Sequence, residues 1–231
     1  MKRMMTAWLL TGLATLLSLS FASLGAGDRA TDEGDYRSAI TAYEAALAEN
    51  AESAEALYKL ARAKTYLAES LSGDEAEALY EAAATHARAA TDLAPDDPEA
   101  HMEVARALGR LAQFQGVLES LNLAAEVHDE LERVLELDPE HGGALHALAL
   151  WNLEVPWIAG GRSAQVRPLF DRAIAAEPDI IAHYLDYAEA LVRLEDAAAA
   201  RAQLEKAVTL EPQDVREEEN LREAQEMLSG L

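Results

Sequence analysis

The stretch that most limits what this chain can become is Ile181–Pro212, because it carries two helices' worth of apolar pattern with a break between them. Tyr184, Tyr187, Ala188 and Leu191 recur at helical spacing in its first half, and Ala200, Leu204, Ala207 and Leu210 in its second, before Pro212 stops the run. The spacing predicts a helix, a tight turn and a second helix. Small residues at Ala200 and Ala207 let the second helix nest against the larger side chains of the first. A unit of this size cannot bury its own apolar faces, so it must stack on copies of itself.

The copies run through the chain. A half repeat is expected over 27–53, its natural first helix falling inside a leader. Full repeats follow over 54–97, 98–141, 142–180 and 181–212, and an amphipathic stretch over 213–231, with Val215, Leu221, Ala224, Met227 and Leu228 on one face, is placed to cap the last open surface. The unit resembles a tetratricopeptide repeat, which implies an all-α, right-handed α-solenoid with a C-terminal capping helix. The proline stops lie 44 (Pro95 to Pro139), 39 (Pro139 to Pro178) and 34 (Pro178 to Pro212) residues apart. Only the last has the usual length of such a repeat, so the earlier helices are expected to be longer.

Met1-Lys2-Arg3 followed by an uncharged run to Gly27 has the basic start and apolar middle of an export signal, 1–26, with cleavage after Ala22 or Ala26. Cleavage is the expectation, giving a periplasmic or extracytoplasmic protein; an uncleaved N-terminal anchor is the alternative, and the only expected route to a membrane. The chain holds 19 basic against 42 acidic residues, a net charge of −23. That excess argues against binding nucleic acid or an anionic bilayer through general electrostatics. Without cysteine there is no disulfide, thiolate metal site or cysteine nucleophile.

Leu108–Gln115, Leu123–Val155, the Gly160-Gly161 pair and the following PLFDRAIAAEP and IIAHYLDYAEAL segments resemble the regulator of microtubule dynamics family and its bacterial relatives. The resemblance spans roughly Ala54 to Leu228 and departs from the family at Asn152 and Leu153 and in a shortened Pro156–Arg162 linker. It places the family's recurring motif on His146, Trp151, Glu154 and Val155 and a later histidine on His183, a structural polar cluster. Some members resemble membrane tethers whose repeats hold lipid. A weaker resemblance is to helical-repeat accessory proteins of TRAP-type transporters, through the leader, the Gly-Gly pair and the terminal helix.

In a stack of helix pairs the first helices line a concave face. The side chains left over from packing are expected to be Tyr58, Arg62, Thr65 and Tyr66, then Met102, Arg106, Gly109 and Arg110, then His146, Leu150 and Leu153, and finally Leu185, Glu189 and Val192. This groove is expected to take a protein or peptide partner in the cell envelope, or alternatively a lipid or small organic acid. Arg62, Arg106 and Arg110 have two readings: bidentate seats for an anionic group, or partners of acidic neighbours such as Glu99 and Glu103 on a solvated face.

His146 and His183 with Glu154 have the ligand types of a zinc site, but no histidine lies three or four residues from another, so hydrogen-bonded buried histidines are expected and no metal or cofactor. Trp157 is expected to pack over a repeat junction, with exposure as a contact the alternative. Glu217 to Glu219 read as a solvated helix start. There is no GxSxG elbow and no Lys-Ser or Lys-Thr after Gly160-Gly161, so neither hydrolase nor nucleotide chemistry has an anchor, and a non-enzymatic binding protein is expected.

Overall fold

Side-chain caps set several helix starts in the computed structural model, which describes residues 23–115 and 120–231. Asp35, Ser53, Asp196 and Asp214 each accept a backbone N–H three residues on, at 3.1, 3.2, 3.1 and 2.8 Å, satisfying an amide that a helix start leaves unpaired. The regular elements among the described residues are all helical. They are α1 (residues 23–32), α2 (Tyr36–Glu49), α3 (Ala54–Glu69), α4 (Asp74–Leu93), α5 (Pro98–Gln115), α6 (Leu121–Leu137), α7 (Gly142–Glu154), α8 (Val166–Ala176), α9 (Ile181–Arg193), α10 (Ala197–Ala207) and α11 (Val215–Gly230). Two short 3₁₀ turns, Trp157–Ala159 and Ser163–Gln165, join α7 to α8. The basic and apolar parts of the expected export signal, residues 1–22, lie outside the described residues.

The chain divides into two compact units, Met1–Leu111 and Ala112–Leu231. In the first, α1 takes the first-helix position ahead of α2, partly within the segment read as leader. Leu24 is buried with Ala39, Tyr43, Ala46 and Leu60, and Gly27 lies so near the Tyr43 ring that a Cβ there would come within 2.3 Å of it. Asp28 ties three helices together, accepting from Tyr43 Oη and from Lys59 Nζ, each at 2.9 Å. Burial pushes the Tyr43 hydroxyl up to about 12. Further along, Leu57, Ala90 and Ala100 join α3, α4 and α5.

The second unit is built on Leu145, Phe170, Leu191 and Leu204, with Phe170 stacked on Tyr187 at 4.9 Å. Here α10 ends at Ala207 rather than running to Pro212: Thr209 N–H and Leu210 N–H turn back to Lys206 and Ala207 carbonyls, and Leu210 still reaches the core from outside the helix. Helix α11 packs on α9 and α10 and buries Ala224, the capping role its amphipathic pattern predicts. Glu217 departs from the sequence reading. Its carboxylate is buried and accepts Ile181 N–H at 2.7 Å and Ala182 N–H at 3.4 Å. It thereby caps α9, whose own N-cap Ile180 has no side-chain acceptor to give. The helices of 16 to 20 residues, α3 to α6, all precede those of 11 to 13, α7 to α10, as the proline spacing predicts.

Candidate functional site

In the first unit the three arginines of the expected anion seat are engaged by carboxylates. Arg62 Nε donates to Glu103 Oε1 at 2.7 Å and its Nη2 to Glu99 Oε2 at 2.6 Å. Arg106 Nε reaches Glu103 Oε2 at 3.1 Å, and Arg110 Nε pairs with Glu69 Oε1 at 2.9 Å. The Arg106 guanidinium also lies over the Tyr66 ring, 5.7 Å from its centre. Glu103 holds the Arg62 guanidinium charged, well above the ordinary arginine range, against the opposing effect of burial. The pairing with Glu99 and Glu103 is thus the arrangement present, but the face is not the solvated one expected: Glu103 is 0% exposed. An arriving anion would have to displace carboxylates already in place, the buried Glu103 among them, so the arginines are not read as its seat.

Three other groove residues also need correction. Met102 is 4% and Leu185 2% exposed, because a helix packed on both flanks buries a wider arc than one stripe predicts. Thr65 is likewise buried, its hydroxyl returned to Ala61 O at 3.0 Å. Tyr58, Leu150 and Leu153 are partly exposed, while Glu189 and Val192 are exposed on α9.

The second unit brings His146 and His183 together across α7 and α9. Their Nδ1 atoms lie 2.7 Å apart, while His146 Nε2 contacts Asp186 Oδ2 at 2.8 Å and His183 Nε2 contacts Glu177 Oε2 at 2.9 Å. The His146 and Phe170 rings meet edge-to-face, 5.3 Å between centres. Burial pushes His183 below the ordinary histidine range; Glu177 opposes the shift and the neighbouring His146 adds to it. Glu177 and Asp186 were not singled out from sequence. Asp186 lies three residues after His183, on a neighbouring face of the same helix, which was the available signal.

Trp157 does not pack over a junction. It is 84% and Ile158 77% exposed, yet their loop is braced. Asn152, buried on α7, donates to Leu148 O and accepts Arg162 N–H at 3.0 Å. Gly161 N–H returns to Pro156 O, and a Cβ at Gly161 would fall 1.7 Å from Val155 O. Gly160 has φ +107, a left-handed conformation suited to glycine, and a Cβ there would come within 3.2 Å of the Trp151 ring. On α6, His128, Asp129 and Glu132 gather potential metal donors within 4.8 Å, both carboxylates on the exposed surface.

The regulator of microtubule dynamics protein 1-3 family matches residues 24–158, more than half of the chain. The chain belongs to this family. A tetratricopeptide repeat family matches residues 158–215. No curated protein matches by sequence. Among solved structures, the thermophilic tetratricopeptide protein TTC0263 of Thermus thermophilus superposes with a TM-score of 0.73 at 22% identity, covering 89% of this chain and 98% of its own. PilW, a type IV pilus biogenesis factor, gives 0.61 at 18% identity over 92% and 91%. MamA from residue 41 to its end, of Desulfovibrio magneticus RS-1, gives 0.53 at 17% over 83% and 94%. At these identities the likeness shows the fold, an all-α tetratricopeptide repeat.

In this regulator of microtubule dynamics relative the expected motif cluster separates. His146 and His183 meet, but Trp151 turns to α6, its Nε1 donating to Ala124 O at 2.7 Å and its ring lying 4.5 Å from His128. Glu154 forms an exposed ion pair with Arg193 instead of reaching a histidine. Val155 is the C-cap of α7, its N–H bonded to Trp151 O. The motif therefore secures α7 to two neighbours, α6 and α9, rather than building one site.

Proposed function

We propose that this chain is an exported, non-enzymatic repeat scaffold that binds a protein partner in the cell envelope, with the second unit supplying a principal contact. The observation that carries this reading is the braced presentation of Trp157 and Ile158, two large apolar side chains held in water by a loop that cannot readily fold them inward. An exposed tryptophan on a braced backbone is a strong anchor for a partner's pocket, because the loop that carries it has little freedom left to lose on binding. Leu153 and Val192, near the C-terminal ends of α7 and α9, extend the available surface there. Burial of Leu24 supports leader cleavage after Ala22, since cleavage after Ala26 would remove a core residue.

The test places a photo-crosslinking amino acid at Trp157, with exposed Arg201 as control, in the protein's own host. A single dominant protein adduct from position 157 alone is expected. Adducts only with lipid or a small molecule would favour the carrier reading, and equal labelling from both positions would remove this contact. N-terminal sequencing of envelope-fraction protein is expected to begin at Ser23; an intact Met1 would overturn cleavage.

A further inference from the structure

The contacts around His146 and His183 can be counted in hydrogens. Three heavy-atom separations of hydrogen-bond length run in series: Glu177 to His183, His183 to His146, and His146 to Asp186, at 2.9, 2.7 and 2.8 Å. Each requires one hydrogen between its two atoms. Two neutral imidazoles and two ionised carboxylates carry only two. With two, either the Nδ1 lone pairs face one another at 2.7 Å or a ring nitrogen presents its lone pair to a carboxylate. Both are repulsive.

We infer that the two histidines and two carboxylates hold a third hydrogen in common, making the α7–α9 junction a proton-binding latch that is strongest with three hydrogens bound. The Nδ1 separation favours a proton as the bridge: zinc with two nitrogen ligands at about 2.0–2.1 Å in tetrahedral geometry would hold them roughly 3.3 Å apart. The charged surroundings favour retention. Glu177 approaches from the α8–α9 turn, Asp186 and Glu189 lie on α9, and Glu217 of α11 grips the first turn of α9. Glu223 of α11 acts on Glu189, as does Arg193 with the opposite sign. From α8, Phe170 contributes an uncharged ring, while Asp171 acts on neighbouring Tyr187. The α6 residue His128 lies against Trp151, more than a turn along α7. Burial of His183 beside a second imidazole resists a fourth hydrogen.

An unfolded chain takes up two protons on these histidines below about pH 6.5 and holds neither well above it. The folded pair holds one on both sides. Stability therefore peaks near pH 6.5, the unfolding constant rising up to about tenfold per pH unit in either direction until the folded latch itself titrates.

The test uses the full chain, histidine-labelled with ¹⁵N. One strongly downfield hydrogen correlated to Nδ1 of either or both rings is expected near neutral pH and is lost at the alkaline limit. In His146→Gln, an amide can bridge without added charge, so the alkaline fall in stability should disappear while the acid fall remains. Two rings titrating independently, Nδ1 atoms bare at all pH values, or an unchanged alkaline arm in the variant would each overturn the proposal. So would a stoichiometric metal bound to both Nδ1 atoms. If the variant does not fold, the wild-type spectrum still decides.

Discussion

In the first unit α3 meets α5 through Arg62, Glu103 and Arg106; in the second, α7 meets α9 through His146 and His183, flanked by Glu177 and Asp186. Both junctions join first helices of successive repeats with partly buried charge. They differ in what the charge can do. A guanidinium stays protonated throughout the physiological range in the folded and the unfolded chain alike, whereas an unfolded histidine gains its proton near neutrality, so the stability of the second junction depends on pH. The same fold position can thus be fastened or switched by the choice of basic residue.

The largest test of that contrast is Glu103→Gln. It leaves the isostere in place but removes the charge shared by Arg62 and Arg106, and should cost about 3 kcal/mol in urea unfolding of the first unit. A loss below about 1 kcal/mol, the range of exposed pairs, would mean that water already screens this junction. A smaller effect comes from acid. Because His183 is held below its ordinary range, the unfolded state binds the extra proton, and stability of the second unit falls as pH drops below about 6.5, by up to about 1.4 kcal/mol per unit. Hydrogen exchange should show α9 losing protection before α5 between about pH 6.5 and 5.5; simultaneous loss would erase the distinction. The smallest effect is Trp157→Ala, which should change thermal stability by less than about 0.5 kcal/mol because the ring is exposed. The same change should weaken partner binding by about 2 kcal/mol, measured by calorimetry once the crosslinked partner is known.

Much of the fold was legible because its signals are local. Pro95, Pro139 and Pro178 follow helix ends, and the apolar period marks the buried side of each helix. Leu185 shows where that reading fails: one stripe is assigned outward, yet a helix flanked on both sides uses that face too. Of the site, the pairing of Arg62 with Glu99 and Glu103 was foreseeable as charge complementarity, but the complete burial of Glu103 was not. Trp157 departs from its expected cover because a large aromatic ring is buried on average, whereas here the bracing by Asn152 and Gly161 holds its loop outward.

The sequence by itself determined a chain of helix pairs and the greater length of the earlier ones, since both follow from neighbours within a few turns, and its acidic excess follows from composition alone. Which carboxylate meets which base was decided only by tertiary structure. Glu217 capping α9 from 36 residues away, and Glu177 and Asp186 enclosing two histidines, depend on how far one helix slides past another. A shift of one residue along a helix moves a side chain by about 1.5 Å and turns it about 100°, enough to make or break a hydrogen bond. That register is fixed by packing around Phe170 and Leu191, not by any run of residues along the chain.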